Sequence, residues 1–388
     1  MRLDKDYCIY NFCGTDYLMP VGQNITDYRK GLRLNESSAL LLRFLQEERT
    51  FDDVVQLFAG HYNIPPENIG NLREDLNETI GTLAAAGYLF DKTRYQWLFE
   101  ERCLLKYKIS PFVIGINGDP HLMHNFMKDF PMDDKENEKK PDQLITLHGG
   151  APVHRINGPV LLRNNDLIVM DAGLFYVFLF PGIGELYELH VAKSGSKGVC
   201  YYRKQGEENI EELREQIFHA LRIPFLLLAG EHQLYAVHSA SLLYRDKSWL
   251  FSGQSGTGKS THVALWQEIY SVPALNGDLN LIGIQDGQAV VYGIPWCGTS
   301  ETYVNETYPL GGISFLRQAR NDRVEEPGLS EAAVLLINRI IYPIWTQENF
   351  KKAAEFASEI VKKAKFYKVF CTKNKSAAMV MKEQIDKN

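Results

Sequence analysis

The chain has few cysteines and no long apolar run. Among its 388 residues are six cysteines, and the closest pair, Cys8 and Cys13, has a spacing that matches no zinc or redox motif. The longest apolar stretches, residues 174–180 and 224–229, are far shorter than the roughly 20 residues that span a bilayer. The N-terminal residues lack the apolar segment of a signal peptide. These absences exclude a disulfide scaffold and a membrane-spanning helix, and they predict a reduced, cytoplasmic protein.

An excess of basic charge is also missing. The chain has 42 Lys and Arg against 48 Asp and Glu, for a formal net charge of −6. A general nucleic-acid binder normally carries a basic surplus or a basic stripe. The composition therefore argues against a nucleic-acid partner, and the length predicts two or three globular domains.

The N-terminal region has the pattern of a small helical domain. An apolar stripe at helical spacing follows Asn35. Thr50 and Asp53 have the spacing of a capping box at the start of a second helix, whose core face would be Val54, Leu57 and Phe58. A third helix is expected near residues 69–86, before a short closing strand. Three short helices and a strand have the size of a winged helix.

The clearest chemical signal is a glycine-rich loop between a short strand and a helix. Residues 253–260 read G-x-x-x-x-G-K-S, the Walker A pattern. Its glycines let backbone N–H groups converge on a phosphate, Lys259 supplies a positive charge, and Ser260 can ligate Mg²⁺. The motif arises by chance in about one such chain in a hundred, so it predicts nucleotide binding rather than an ordinary turn. The expected phosphate-binding residues are Gly253, Gln254, Ser255, Gly256, Thr257, Gly258, Lys259, Ser260 and Thr261.

A carboxylate follows this loop at the separation that a nucleotide site requires. Asp278 comes eighteen residues after Ser260, which leaves room for one helix and a return to the sheet. Such a carboxylate can hold Mg²⁺, accept the proton of an incoming hydroxyl, or do both. The alternative is a structural aspartate in a turn beside Gly277.

Other polar residues near this segment have two interpretations each. His238 lies in a strand before the loop, where a histidine is usually a packed core residue. Arg317 and Arg320 follow a later strand and are candidates for phosphate contacts, with solvated surface arginines as the alternative. The segment 292–300 is either a loop that closes over phosphate or a Pro/Gly turn around a buried Trp296.

The order of His238, a hairpin, the Walker A loop, a helix and Asp278 resembles the catalytic core of the HPr kinase/phosphorylase family. Phosphoenolpyruvate carboxykinases share that core architecture. The likeness covers about residues 223–336 and implies a P-loop domain with a mixed sheet, and ATP and Mg²⁺ as cofactors. It also implies that Asp278, His238 and Lys259 are catalytic and that Ser260 and Asp278 ligate Mg²⁺.

This sequence departs from the family at one position. The family usually has two adjacent acids, whereas Gly277 precedes Asp278 here. The loss of this carboxylate puts the reverse phosphorolysis reaction in doubt more than the kinase step. The sequence leaves open whether the loss reduces or abolishes turnover. HPr itself is therefore not the favoured substrate.

Residues 17–90 are similar to the PqqD family, also known as RiPP recognition elements. The similarity rests on the segments 31–39, 51–55 and 87–89. Members bind a leader peptide by adding it as a strand to an exposed sheet edge. A winged helix can also read DNA, but the third helix here is acidic and would repel phosphate. The resemblance thus implies a peptide or small-protein partner.

Together these features predict an α/β (α+β) protein that is an ATP-dependent kinase. Its domains would be residues 1–95 for peptide recognition, 96–222 as a β-rich lead-in, and 223–388 as the catalytic core. The phosphoryl group would pass to a hydroxyl, with serine favoured, of a peptide or small protein bound by the first domain. A small-molecule kinase and a non-catalytic, nucleotide-gated peptide-binding protein remain as alternatives. The acceptor, a homo-oligomeric state and the choice of ATP or GTP are left open.

Overall fold

The structure is a computed structural model. It describes residues 1–22, 25, 30–86, 88–90, 96–132, 138–152, 158–203 and 209–387. The chain divides into two compact units. The first comprises Met1–Glu100, Ala151–Val160 and Val169–Val177, and the second comprises Glu101–Gly150, Leu161–Ile168 and Phe178–Asn388. The three domains drawn from the sequence stay a prediction.

The first unit combines two small antiparallel sheets with short helices. Its elements are β1 (Arg2–Leu3), β2 (Tyr7–Phe12), β3 (Thr15–Pro20), β4 (Leu32–Arg33), α1 (Glu36–Phe44), α2 (Phe51–His61), α3 (Ile69–Ala85), β5 (Leu89–Phe90) and α4 (Gln96–Phe99). Strand β1 pairs with β5, and the hairpin of β2 and β3 is extended by β4.

The first three helices of this unit, α1 to α3, begin where the sequence predicts. The Asn35 side chain accepts the Ser38 N–H at the start of α1. The capping box at α2 is confirmed, with Thr50 and Asp53 each bonding the other's backbone N–H. Apolar side chains of all three helices then fill one core. One detail was wrong, because Val55 rather than Leu57 is buried beside its neighbours on α2. Gly87, which follows the predicted third helix in the sequence, lies outside the described residues.

The second unit opens with a mixed sheet. In chain order the strands are β6 (Leu105–Ile109), β7 (Phe112–Asn117), β8 (Gln143–Gly149), β9 (Val160–Arg163), β10 (Ile168–Asp171), β11 (Phe175–Leu179), β12 (Leu186–Ala192) and β13 (Lys197–Tyr202). Strands β9 to β11 include residues assigned to both units. Parallel pairs join β7 to β8 and β8 to β13, and antiparallel pairs join β6 to β7 and β12 to β13. Residues 128–143 are dense in charged residues and proline, a composition that predicts an exposed loop; within this segment, residues 133–137 lie outside the described residues.

The rest of the second unit is a long helix and a nine-stranded mixed sheet with further helices. The elements are α5 (Ile210–Glu231), β14 (Tyr235–Tyr244), β15 (Lys247–Ser252), α6 (Lys259–Tyr270), β16 (Ala274–Asn276), β17 (Leu279–Gln285), β18 (Gln288–Tyr292), β19 (Thr307–Gln318), β20 (Arg323–Glu325), α7 (Leu329–Ile337), β21 (Ile340–Ile341), α8 (Gln347–Ile360), β22 (Lys365–Cys371) and α9 (Lys375–Lys387).

Helices cover both faces of this sheet. Side chains of α7 and α8 pack with one set of strand residues, and side chains of α6 and α9 pack with another. Because both faces are covered, the strands read as nearly continuous apolar runs rather than as alternating ones. The strand order β15-β14-β17-β18-β19 closes on itself through a parallel pairing of β15 with β19.

The prediction of a mixed α/β fold with mixed sheets is confirmed. Within the described part of the chain, none of the helices combines the length and the apolar character needed to cross a membrane.

Candidate nucleotide site

The Walker A loop joins the end of β15 to the start of α6. Gly256 and Gly258 have φ angles of +77° and +101°, in the left-handed region that favours glycine. The Thr257 N–H and hydroxyl both donate to the Gln254 carbonyl, at 3.2 and 2.7 Å. A Cβ at Gly253 would lie 2.5 Å from the Thr257 Oγ1. The curled loop therefore depends on glycine where the sequence has it.

The start of α6 presents groups without internal partners. Lys259 is its first residue, and the preceding Gly258 offers no side chain to cap the first N–H groups. The Lys259 ammonium makes no hydrogen bond or ion pair among the described residues. Burial lowers the pKa of Lys259, the nearby Asp278 opposes this, and Arg339 adds to it. Ser260 and Thr261 are exposed beside it. This helix end is thus suited to an anion.

Asp278 lies in the bend between β16 and β17, directly before β17. Leu279 pairs with His238 of β14, which places the His238 Nε2 3.3 Å from the Asp278 Oδ1. The hydrogen bond from His238 lowers the pKa of Asp278, and the charges of His238, Arg222 and Lys259 act in the same direction against burial. The site therefore holds an ionised carboxylate at neutral pH.

Buried amides fix the backbone around this carboxylate. The Asn276 Oδ1 accepts the N–H groups of Asp278 and Leu279, at 2.9 and 3.0 Å. The Asn276 Nδ2 donates to the carbonyls of Ile294 and Trp296, at 3.4 and 3.3 Å. Each of these backbone groups would otherwise be buried without a partner, which is costly. Asn276 thus joins the bend of Asp278 to the segment after β18.

A second set of polar groups supports the other side of the bend. The Ser239 N–H donates to the Asp278 carbonyl at 2.9 Å. The Asn280 Nδ2 donates to the Ser239 carbonyl at 2.6 Å, and the Asn280 Oδ1 accepts the Ser241 hydroxyl at 2.6 Å. Sequence reasoning missed these residues. The available signal was polar residues at alternate positions 276, 278 and 280 in an otherwise apolar segment.

The short 3-10 turn Gly298–Ser300 packs directly on the acidic bend. A Cβ at Gly298 would lie 2.9 Å from the Asp278 Cβ. A Cβ at Gly277 would overlap the Ser300 side chain, whose hydroxyl donates to the Cys297 carbonyl at 2.8 Å. The place where a second acid would stand is therefore filled by serine. Trp296 just before the turn is buried, as expected if this segment is a Pro/Gly turn around a buried tryptophan.

Two arginines that sequence reasoning missed flank the site. Arg339 follows α7, and its carbonyl accepts the His238 N–H at 2.9 Å. Arg222 lies on α5, where burial lowers the pKa of its guanidinium and Asp278 opposes that change. No motif marks either residue, although Arg222 does interrupt the apolar run of α5.

The two arginines named from the sequence lie on either side of Gln318, which bonds the Walker A loop, and their phosphate contacts stay a prediction. Arg317 and Arg320 are exposed at and after the end of β19, and the Arg317 guanidinium lies 5.9 Å from the centroid of the Phe370 ring. Among the residues that the structure describes, no hydrogen bond or ion pair joins either arginine to Lys259 or Asp278. The structure thus brings together His238, Lys259 and Asp278.

A cleft of ≈ 240 Å³ adjoins the loop on the side of β19 and β22. Its lining includes Thr257, Thr261, Gln318, Thr372 and Lys373. The Gln318 Nε2 donates to the Gly256 carbonyl at 3.0 Å, which connects the cleft wall to the Walker A loop.

Comparisons with known proteins identify the N-terminal part of the chain. The chain matches no curated protein. Among solved structures it is similar to the Hpr(Ser) kinase/phosphatase from Coxiella burnetii, with 10% identity and a TM-score of 0.23, over 39% of this chain and 94% of that chain. A TM-score this low does not establish a shared fold. Residues 25–89 match the family described as coenzyme PQQ synthesis protein D (PqqD), and this part of the chain is a PqqD-like domain.

Proposed function

We propose that the chain is an ATP-dependent kinase that transfers a phosphoryl group to a hydroxyl, with serine favoured, of a peptide or small protein. The observation that carries the proposal is the pairing of an anion-binding loop with a base. Lys259 begins α6 without a partner, and its charge acts on Asp278, which accepts a hydrogen bond from His238. A loop that binds phosphate beside an ionised carboxylate suits phosphoryl transfer.

The residues present fit Mg²⁺ and ATP. The left-handed glycines, the uncapped start of α6 and the unpartnered Lys259 form a cradle for phosphate. The Ser260 hydroxyl and the Asp278 carboxylate are the oxygen ligands that Mg²⁺ takes beside substrate phosphates. The adjoining cleft leaves room for the nucleoside. When bound, Mg²⁺ and ATP supply the transferable phosphoryl group and reduce its negative charge.

The chain's own residues move the proton and hold the charge. Asp278 accepts the proton of the acceptor hydroxyl. At the same time the hydroxyl oxygen bonds to phosphorus, and the bond between phosphorus and the departing ADP oxygen breaks. Lys259 stabilises the negative charge on the phosphate oxygens. His238 acts through Asp278 as a positioning residue, because its hydrogen bond keeps the carboxylate ionised and oriented.

The PqqD-like domain supports a peptide acceptor. Residues 17–90 would bind a leader by strand addition, in which main-chain hydrogen bonds supply the affinity. In the described part of the first unit, the two edge strands of the sheet β2-β3-β4 pair only with β3; β4 lies within residues 17–90 and β2 lies just before them. An unpaired strand edge of this kind can accept a further strand.

One observation favours a second candidate, a non-catalytic, nucleotide-gated peptide-binding protein. Ser300 fills the place next to Asp278 where the resembled family has another acid. A site with a single acid could bind nucleotide without turnover.

Transfer of ³²P by the full-length chain tests the proposal. The acceptors are serine-bearing peptides, with and without a leader, and a panel of hydroxyl metabolites. We expect transfer to leader-bearing peptides by the natural chain and by Lys247→Ala, which changes an exposed lysine at the opposite end of β15 from the loop, and none by Lys259→Ala. Transfer to metabolites alone would make the chain a small-molecule kinase. Binding of Mg-ATP in calorimetry without any transfer would instead establish the nucleotide-gated alternative.

Free leader peptide tests recruitment separately. An excess of leader should raise the KM of a leader-bearing acceptor by competition and leave a leaderless acceptor unchanged. Proline or N-methylation in the leader should abolish this competition, because strand addition needs the peptide N–H groups. Equal competition by the N-methylated leader would contradict strand addition.

A further inference from the structure

His262 is a buried histidine on the wall of the cleft beside the Walker A loop. It lines the cleft although only 2% of its surface is exposed. Its ring packs on the ring of Phe251, with centroids 4.6 Å apart, and its Nε2 accepts the Trp266 Nε1–H at 3.2 Å. Of the two ring nitrogens, Nδ1 is therefore the one left for a molecule in the cleft.

The Nδ1 atom of His262 is a hydrogen-bond donor. Burial lowers the pKa of His262 to about 4, so the ring is neutral at pH 7. Because Nε2 accepts a hydrogen bond, the single ring proton lies on Nδ1. Among the described residues, none accepts a hydrogen bond from Nδ1. A buried donor without an acceptor costs free energy, and a ligand that accepts from it would remove that cost.

Gln318 adds an acceptor to the same cleft. It is the last residue of β19 and lines the cleft. Its Nε2 donates to the Gly256 carbonyl at 3.0 Å, and this fixes the orientation of the amide because an amide oxygen cannot donate. Within the described part of the chain, no donor is bonded to the Gln318 Oε1. The cleft thus presents a donor from His262 and an acceptor from Gln318.

The cleft lies where a nucleoside would extend from phosphates held by the loop. Strands β15, β19 and β22 are neighbouring parallel strands, and ligands of such sheets bind beyond the carboxyl ends of the strands. Thr257, Gly258 and Thr261, at the loop and the first turn of α6, form one wall of the cleft. Asp278 and His238 are not among the described residues that line it. The end of a nucleotide that is remote from Asp278 therefore belongs in the cleft.

The remaining walls suit an uncharged ring. Leu265 and Ala319 contribute apolar surface, and burial raises the pKa of the Cys371 thiol, which is uncharged at pH 7. Among the described lining residues, the charged side chain is that of Lys373, which is exposed, and none carries a carboxylate. The buried part of the cleft is therefore neutral.

The carboxylate nearest in sequence to the cleft wall is already engaged. The Asp322 Oδ1 accepts the Thr372 N–H at 2.6 Å, and its Oδ2 accepts the hydroxyls of Thr372 and Ser376. These bonds hold Thr372, which lines the cleft, and leave Asp322 occupied.

These groups distinguish adenine from guanine. The edge of adenine has an amine beside a ring nitrogen that accepts, so it needs one acceptor and one donor. Guanine carries an N1–H and a neighbouring amine, two adjacent donors that suit the two oxygens of a carboxylate. In a cleft without a carboxylate, guanine would leave buried donors without partners, which costs affinity.

We propose that the cleft binds the adenine ring of ATP, with the His262 Nδ1–H donating to a ring nitrogen beside the amine and the Gln318 Oε1 accepting from the amine. The proposal rests on the proposed kinase function and names ATP, rather than GTP, as the phosphoryl donor. His262 is thus a specificity-determining residue that acts at the base and not at the phosphates.

Calorimetry on the full chain with Mg²⁺ tests the proposal without turnover. The titrants are ADP, GDP, CDP, inorganic pyrophosphate, and two analogues, 1-deaza-ADP and 7-deaza-ADP, which lack the ring nitrogens on either side of the amine. We expect ADP to bind at least about tenfold more tightly than GDP or pyrophosphate, the ratio that about 1.4 kcal/mol of hydrogen bonding provides. One of the two deaza analogues should bind about tenfold more weakly than ADP.

A variant of His262 isolates its donor. His262→Gln keeps an oxygen that can accept the Trp266 Nε1–H but has no donor at the position of Nδ1. Its affinity for ADP should fall about tenfold, and its affinity for pyrophosphate should stay within about twofold of the natural value. His61→Gln, at an exposed position of the first unit, is the matched control and should change neither affinity.

The contrary outcomes are distinct. GDP or CDP binding as tightly as ADP, full affinity for both deaza analogues, or unchanged ADP affinity in His262→Gln overturns the proposal. An equal loss of ADP and pyrophosphate affinity in His262→Gln would assign His262 to the shape of the loop and also overturns it. Binding of pyrophosphate with no gain from ADP contradicts the adenine cleft alone, whereas failure of the natural chain to bind either one contradicts the kinase function itself.

Discussion

The two units of the chain bury different kinds of side chain. In the described part of the first unit, the core is made of apolar residues, whereas every buried polar side chain belongs to the second unit. Several of those polar residues, including Ser239, Asn276 and Asn280, surround the bend of Asp278. Strand addition needs a sheet that is stable and has an open edge, and an apolar core provides the stability. A reactive carboxylate needs a fixed direction, which only bonded polar groups provide.

The largest expected effect separates chemistry from recognition. Asp278→Asn keeps the shape of the side chain but removes the base, so transfer should fall by roughly 10²–10⁴. Mg-ATP affinity should stay within about tenfold, and leader binding should not change. Single-turnover kinetics and calorimetry on the same preparation measure the three quantities. Transfer at the natural rate would show that the carboxylate is structural.

A pair of core substitutions tests the comparison directly. Leu42→Ala, in the fully buried core of the first unit, should cost about 2–5 kcal/mol of that unit's stability and leave kcat on a leaderless acceptor unchanged. Asn276→Ala should cost about 1–3 kcal/mol and lower kcat as well, because the Asp278 N–H loses its acceptor. Urea unfolding and steady-state kinetics give both numbers. Equal effects of the two substitutions on kcat would contradict the assignment of catalysis to the second unit alone.

An acid can be introduced at Gly277 without a large loss of stability only if the Ser300 side chain is removed. Gly277→Asp should destabilise the chain by about 1–3 kcal/mol, because the new Cβ overlaps Ser300. Ser300→Gly should relieve most of this cost in the double variant, so the two changes are not additive. Thermal unfolding of the four proteins measures the coupling. Additive costs would mean that the turn moves aside freely.

The pH dependence of stability should differ between buried and exposed histidines. Burial lowers the pKa of His262 to about 4, against about 6.5 in the unfolded chain. As the pH falls from about 6.5 toward 4, the unfolded chain gains a proton that the folded chain excludes, so stability declines. At pH 5 the loss is about 2 kcal/mol.

His262→Gln should remove this part of the pH dependence while its side-chain oxygen can still accept the Trp266 Nε1–H. His61→Gln, at an exposed position of the first unit, is the matched control and should leave the slope unchanged. Urea unfolding at pH 7.5 and pH 5 compares the three proteins. An unchanged slope in His262→Gln would show that His262 does not carry the effect.

The smallest effect concerns His238. Its hydrogen bond lowers the pKa of Asp278, so His238→Ala should raise that pKa toward its usual value. The acid limb of the kcat profile, where the base becomes protonated, should then move to higher pH. The loss of rate at neutral pH should be smaller than for Asp278→Asn. A profile that keeps its acid limb would contradict the coupling of His238 to Asp278.

Features that are local in the chain could be predicted from the sequence. The Walker A loop, the flanking strand and helix, and the capping box of Thr50 and Asp53 each depend on residues a few positions apart. The α/β class with a mixed sheet followed from the family resemblance that the Walker A segment carries. The electrostatic influence of Arg222 and Arg339 on the site could not be predicted, because Arg222 lies on α5 and Arg339 follows α7, both far from Asp278 in the sequence. Only the packing of α5 and α7 brings these charges to it.

Gly277 shows a different limit of sequence reasoning. Its identity was visible, but its meaning depended on Ser300, which reaches it from the segment after β18. In the sequence, a glycine in place of an acid indicates the loss of a carboxylate. The structure shows instead that Ser300 approaches Gly277 so closely that only glycine fits there.

The closed circuit of β15, β14, β17, β18 and β19 determines where this protein can vary. A one-residue insertion in any strand of this ring would turn the side chains that follow it in that strand from one face of the sheet to the other. The hairpin tip at Arg245 and Asp246, with φ angles of +53° and +58°, joins two strands without belonging to either. Fluorescent labels, fused peptides and evolutionary insertions belong at such tips, where they lengthen the chain and leave the ring unchanged.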